Sequence, residues 1–141
     1  PAVHEISMTL HDGMHFEADT GDGVNIHMDS DESVGGHGLG ARPQKVLLAA
    51  LAGCSSMDVI SILRKKRQEV TGLDVKVRGE KAEDYPRVYT RIDLHYIVTG
   101  KEIDPEAVAR SIELSMTKYC SVAGQLHASV PIHTSYEIVS V

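Results

Sequence analysis

The sequence predicts an α+β fold in the order βββ-α-ββ-α-β, with antiparallel sheets around a long central helix. Three observations predict it. Residues 3–29 alternate apolar and polar side chains in short runs broken by Gly and Asp. Pro43 leads a helical stretch in which residues 46–52 form an unbroken apolar run. Asp104-Pro105-Glu106 then opens a second segment whose apolar residues recur at helical spacing.

Taken in order, Ile6, Met8 and Leu10 alternate with Ser7 and Thr9, and Asp12-Gly13 supplies a turn. Met14, Phe16 and Ala18 form the second run, Gly21-Asp22-Gly23 turns the chain again, and Val24, Ile26 and Met28 form the third. Period-2 patterning with Gly/Asp punctuation marks an antiparallel meander with one wet face. Asp29 to Arg42 reads as a mobile loop carrying Gly35, Gly36, Gly38 and Gly40. It lacks the G-x-x-x-x-G-K-[ST] spacing and the βαβ setting of a phosphate cradle.

Pro43 suits a first helical turn, where its missing N–H costs nothing. The helix is expected from Gln44 to Glu69, roughly 39 Å at 1.5 Å per residue, with Gly72 closing it and Arg64-Lys65-Lys66-Arg67 matching the negative end of its dipole. Val46 to Ala52 leave no polar face, so this helix must be buried or span lipid. Ser55, Ser56 and Asp58 interrupt the run too soon for a span of roughly 20 apolar residues. A hairpin follows, Leu73–Arg78 and Val88–Val98 joined through Ala82–Pro86. Asp104 caps the second helix, on which Val108, Ile112, Met116 and Tyr119 share a face and Cys120 ends it. Val130–Ser140 is the last strand, with no parallel crossover anticipated.

A chain of 141 residues with no composition break reads as one domain, residues 1–141. A net charge of -6 and a single basic cluster argue against nucleic acid, because phosphate neutralisation needs a basic face. No apolar leader or membrane segment is evident, so a cytoplasmic location is expected. The eight histidines lack tight metal-ligand spacing, although His15 and His27 are expected to share a polar strand face with Glu17 and Asp29. No metal and no cofactor are anticipated. Because one chain of this size hardly supplies two sheets to cover an all-apolar helix, a homodimer with an extensive interface is expected.

The chemistry centres on two cysteines. Cys54 lies mid-helix and Cys120 lies 66 residues further on, without a Cys-x-x-Cys motif. In a reducing compartment such a pair is redox-active, metal-binding or simply buried.

The helix ending in A-L-A-G-C-S-S-M-D-V, the later K-Y-C-S-V-A-G-Q-L and the closing I-H-T-S-Y-E-I-V resemble the OsmC/Ohr superfamily. G-C-S-S-M-D-V-I-S-I-L and R-V-Y-T-R-I-D-L-H-Y-I-V-T-G look most like its YhfA-like branch. The resemblance covers essentially the whole chain. It implies an OsmC-like fold, an intertwined homodimer with active sites at the interface, and thiol peroxidase activity on organic hydroperoxides. It further implies Cys54 as peroxidatic and Cys120 as resolving cysteine, recycled by a dithiol reductant.

The sequence also departs from that pattern. The family resembles itself in placing a Glu after the helix-leading Pro to hold an N-terminal Arg. Here Gln44 follows Pro43, and no Lys or Arg precedes Arg42. Asp58, one turn beyond Cys54, is the substitute candidate for holding a cation over the sulfur, with Arg42 ranked ahead of Arg87 and Arg91. The alternative function is a binding or redox-sensing protein for a small hydrophobic or thiol ligand at the same interface.

Overall fold

The period-2 alternation of the first residues produces a three-stranded antiparallel sheet in the computed structural model, which describes all 141 residues. Its strands are β1 (Ser7–Leu10), β2 (Phe16–Asp19) and β3 (Asn25–Met28), ordered β1-β2-β3. Gly13 (φ 61°), Gly21 (φ 98°) and Gly23 (φ 71°) take the left-handed conformations that the two turns need. The chain divides into two compact units, Pro1–Leu47 and Leu48–Val141.

The Gly-rich stretch after β3 is pinned rather than loose. Asp29 is 3% exposed, and its carboxylate accepts from the backbone N–H groups of Ser30, His37 and Leu39. Burial pushes the Asp29 carboxyl up, but these donors outweigh it and leave the group below its ordinary value. A 3₁₀ turn at Glu32–Val34 and a parallel bridge from Met28 to Ala41 complete the stretch.

Helix α1 spans Pro43–Lys65. It ends earlier than Glu69, and Gly72 does not close it. Arg67 takes the left-handed position (φ 56°) usual for glycine, and the Gln68 N–H bonds back to the Leu63 carbonyl at 3.0 Å. Gly72 lies instead inside β4 (Glu69–Lys81), beside a register shift at Val70/Gly72. By length and composition α1 is apolar enough to cross a membrane, so Ser55, Ser56 and Asp58 interrupt it less than expected. Here it serves as a core helix: Leu51, Ser55, Val59 and Leu63, spaced four apart, are fully buried. Burying each of those aliphatic side chains contributes about 1.5–3 kcal/mol.

The second sheet runs β4-β5-β6, with β5 at Tyr89–Lys101 and β6 at Ile132–Ser140. Its middle strand carries Ile92, Leu94, Tyr96 and Val98 inward, all 1% exposed or less. β4 and β5 pair antiparallel as a hairpin. β6, however, pairs parallel to β5, from Ile92↔Ile132 to Gly100↔Ser140. The sequence reading without a parallel crossover is corrected on this point. Parallel neighbours need a long return connection, usually helical, and the segment from Pro105 to Leu126 supplies it.

That connection is α2 (Pro105–Leu114), a π-helical turn (Ser115–Tyr119) and a short α3 (Ser121–Leu126). Asp104 caps α2 by accepting from the Glu106 N–H at 3.0 Å. The π turn and α3 were not foreseen. Thr117 bonds its hydroxyl to the Glu113 carbonyl at 2.8 Å, a side-chain competition that bends helices. The chain then leaves helical geometry at Cys120 (φ -73°, ψ 103°) before α3 begins.

Candidate functional site

Three elements of the second unit converge on one cluster. α1 presents Cys54 and Asp58 one turn apart on the same face. The break between the π turn and α3 presents Cys120. The two Sγ atoms and a carboxylate oxygen of Asp58 all lie within 4.8 Å of one another. Both thiols are free, with Cys54 half-buried and Cys120 buried.

Burial pushes the Cys120 thiol up to about 11. The Ala123 N–H, which donates to its sulfur at 3.3 Å, pulls it back, while the neighbouring Cys54 thiol adds to the rise. Cys120 is therefore a neutral thiol at pH 7.

Behind this cluster runs a buried chain of hydroxyls. Ser115 donates to Asp58 Oδ2 at 2.9 Å, Ser55 lies 2.8 Å from Ser115, and Tyr96 lies 2.5 Å from Ser55. Ser55, Tyr96 and Ser115 are all 0% exposed. Each hydroxyl has one proton, and a carboxylate accepts. Ser115 spends its proton on Asp58, so Ser55 donates to Ser115 and Tyr96 donates to Ser55. Desolvation raises the Tyr96 phenol above its ordinary value, which keeps it a donor. The direction of the chain thus follows from Asp58 outward.

The proposed cation partners are engaged elsewhere. Arg42 pairs with Asp31 and donates to the Gly40 carbonyl. Arg91 grips Asp93 at 2.9–3.2 Å, and Arg87 stacks over Tyr85 at 4.5 Å. Asp58 therefore receives a serine hydroxyl where an arginine was expected. Gln44 lies half-buried in the first turn of α1. Sequence reasoning missed Ser55, Ser115 and Tyr96. Their signal was a tyrosine on the otherwise aliphatic inner face of β5 and a serine midway along the buried stripe of α1. A cavity of about 300 Å³ opens beside Asp58, lined also by Ser61, Ile62, Lys65, Leu114 and Tyr119.

In the first unit, His15 and His27 do share the polar face of the meander with Glu17: their ring nitrogens lie 2.8 Å apart, and His11 bonds Glu17 at 2.7 Å. Asp29 is not on that face, since it is buried under the Gly-rich stretch.

Residues 36–135 match the OsmC-like protein family. The chain is 42% identical over 129 residues to Protein YhfA of Escherichia coli K12, covering 92% of this chain and 93% of that protein. A solved structure of a hypothetical protein from Aquifex aeolicus VF5 superposes with a TM-score of 0.88 at 29% identity, covering 100% of this chain and 99% of that one. The organic hydroperoxide resistance protein OsmC from Legionella pneumophila superposes with a TM-score of 0.66 at 16% identity, covering 97% and 99%, a likeness of fold alone. The chain belongs to the OsmC-like protein family.

Proposed function

We propose that the protein is a thiol peroxidase that reduces organic hydroperoxides through Cys54 and Cys120. One observation carries the reading: two free thiols, 66 residues apart in sequence, stand within 4.8 Å on a helix and at a helix break. The naming of the Legionella structure as a hydroperoxide resistance protein supports it.

In this scheme the Cys54 thiolate attacks the terminal peroxide oxygen, the O–O bond breaks, and the alkoxide leaves and takes a proton as alcohol. Cys54 becomes a sulfenic acid. Cys120 then attacks the Cys54 sulfur, and its proton leaves with the sulfenic hydroxyl as water, giving the disulfide. A dithiol reductant exchanges the disulfide back to two thiols. The neutral Cys120 suits this order, because a thiol is a poorer nucleophile than a thiolate and leaves the first attack on the peroxide to Cys54.

The working form in this reading is a homodimer. Leu47 and Met57 on α1, and Met8, Leu10 and Ile26 on the first sheet, are large apolar side chains left exposed in the single chain, and a second copy is the partner that covers them. Light scattering should give twice the mass of 15.3 kDa at micromolar concentration. A reducing compartment such as the cytoplasm keeps both thiols free between turnovers.

Stopped-flow mixing of the reduced protein with cumene hydroperoxide and with hydrogen peroxide tests the activity. Cys54→Ser should abolish turnover, and Cys120→Ser should allow one turnover and trap a sulfenic acid. Parent-rate consumption by Cys54→Ser would sink the reading. A second reading rests on the carboxylate, rather than a cation, standing beside Cys54. On this reading the site is a binding pocket for a small hydrophobic or thiol ligand. A Cys54 pKa well above 8 with no peroxide consumption decides for that reading.

A further inference from the structure

We propose that the reduced protein carries a thiophilic metal site made by Cys54 Sγ, Cys120 Sγ and an Asp58 carboxylate oxygen, which takes Zn²⁺. The inference uses the same residues as the peroxidase reading but rests on their placement, not on their reactivity.

The three ligand atoms already lie within 4.8 Å of one another. Tetrahedral zinc, with Zn–S of about 2.3 Å and Zn–O of about 2.1 Å, sets its ligand atoms roughly 3.4–3.8 Å apart. No pair therefore has to close by more than about 1.4 Å. Two of the ligands sit at i and i+4 of a long helix, neighbours on one face of it. The third follows a π turn at a helix break, where the backbone has left helical geometry (φ -73°, ψ 103°).

The groups behind the ligands fit as well. Metal-binding carboxylates are themselves hydrogen-bonded, which fixes their orientation. Ser115 donates to Asp58 Oδ2 and is backed in turn by Ser55 and Tyr96, none of them exposed. The Ala123 N–H donates to the Cys120 sulfur. The cavity of about 300 Å³ reaches Asp58 among the three ligand residues, and three protein ligands with one open position is an established zinc arrangement. Two sulfurs select a soft cation over Mg²⁺ or Ca²⁺. Sequence spacing could not reveal the set, because Cys120 comes from a different part of the chain than the Cys54/Asp58 pair.

Binding displaces the thiol protons and occupies the sulfur that would attack a peroxide. Metal and peroxide are therefore alternative occupants of Cys54, and the disulfide form has no thiolate to offer.

The test is a titration of the reduced, metal-free, full-length protein with cadmium chloride under argon, read by the ultraviolet cadmium–thiolate charge-transfer band. The band should grow linearly to one cadmium per chain, and added Zn²⁺ should bleach it. The band should fall to half or less in Cys54→Ser and in Cys120→Ser. Asp58→Asn should keep the band but bind about tenfold more weakly. The same protein oxidised to its disulfide should give none, which controls for folding without any substitution. Three results would overturn the site: no band at one equivalent although both thiols titrate as free, an undiminished band in Cys54→Ser, or saturation at half an equivalent per chain. An unchanged affinity in Asp58→Asn would remove the carboxylate from the set. Peroxide consumption by the metal-free protein is measured in parallel, and its failure counts against the peroxidase reading alone.

Discussion

Replacing Ser115 with Ala breaks the hydroxyl chain in its middle, and the chain's direction sets what that should cost. Ser115 donates to the Asp58 carboxylate and accepts from Ser55. A hydrogen bond to a charged group is worth about 1.5–3 kcal/mol, and the lower end applies because Asp58 is only half-buried and water recovers part of it. The Ser55 proton is then left without an acceptor at a site with no exposure, adding about 1–2 kcal/mol. Together the expected loss is about 3 kcal/mol. Tyr96→Phe removes only the donor at the far end, between two neutral groups, and should cost about 1 kcal/mol. At roughly 3 °C per kcal/mol for a chain of this length, the two variants should melt about 9 °C and 3 °C below the parent. Urea unfolding of the three reduced proteins at one fixed chain concentration measures the differences. If Tyr96→Phe loses as much as Ser115→Ala, the chain does not run toward Asp58. If both stay within about 0.5 kcal/mol of the parent, it contributes nothing.

Cys120 alkylation by iodoacetamide should stay slow at pH 8 and rise through about pH 11, followed by mass spectrometry. Because the unfolded thiol ionises first, at about 9, the same shift makes stability decline as pH climbs from 9 towards 11. Asp29→Asn removes a carboxylate that holds three backbone N–H groups, so hydrogen exchange at His37 and Leu39 should accelerate. In the parent the Asp29 carboxyl lies below 3.8, so its stabilisation is present above that pH and fades as pH falls through the depressed value. Gly100→Ala would set a methyl carbon 2.2 Å from the Glu69 carbonyl oxygen and 2.7 Å from Ile103. Forcing β4 and β5 apart should cost at least about 1–3 kcal/mol by urea unfolding, and a neutral result would refute that packing.

The meander was legible because its alternation is local: Met8, Phe16 and Met28 announce a face without reference to the rest of the chain. The start of α2 was legible for the same reason, since Asp104 and Pro105 act within one turn. The parallel pairing of β6 was not, because nothing in Ile132–Ser140 states the direction of its neighbour. The end of α1 was misplaced because a left-handed arginine did the work usually given to glycine. At the candidate site, the two cysteines stood out by residue type and resemblance and Asp58 by its one-turn spacing from Cys54, but the hydroxyl chain did not. Ser55, Tyr96 and Ser115 belong to three elements and become a network only when those elements pack. The cation partner was sought among arginines, each of which the fold commits elsewhere.

The place of Tyr96 at the end of that chain has a practical side. The protein has no tryptophan and only five tyrosines, so its near-ultraviolet spectrum comes mainly from a handful of phenols. One of them is shielded from solvent and linked through two serines to the carboxylate beside Cys54. Any event that changes the charge on Asp58 alters the pull on the Tyr96 proton and shifts its absorption band. The fold thus contains its own optical probe of the thiol site, readable in a difference spectrum without label or cofactor.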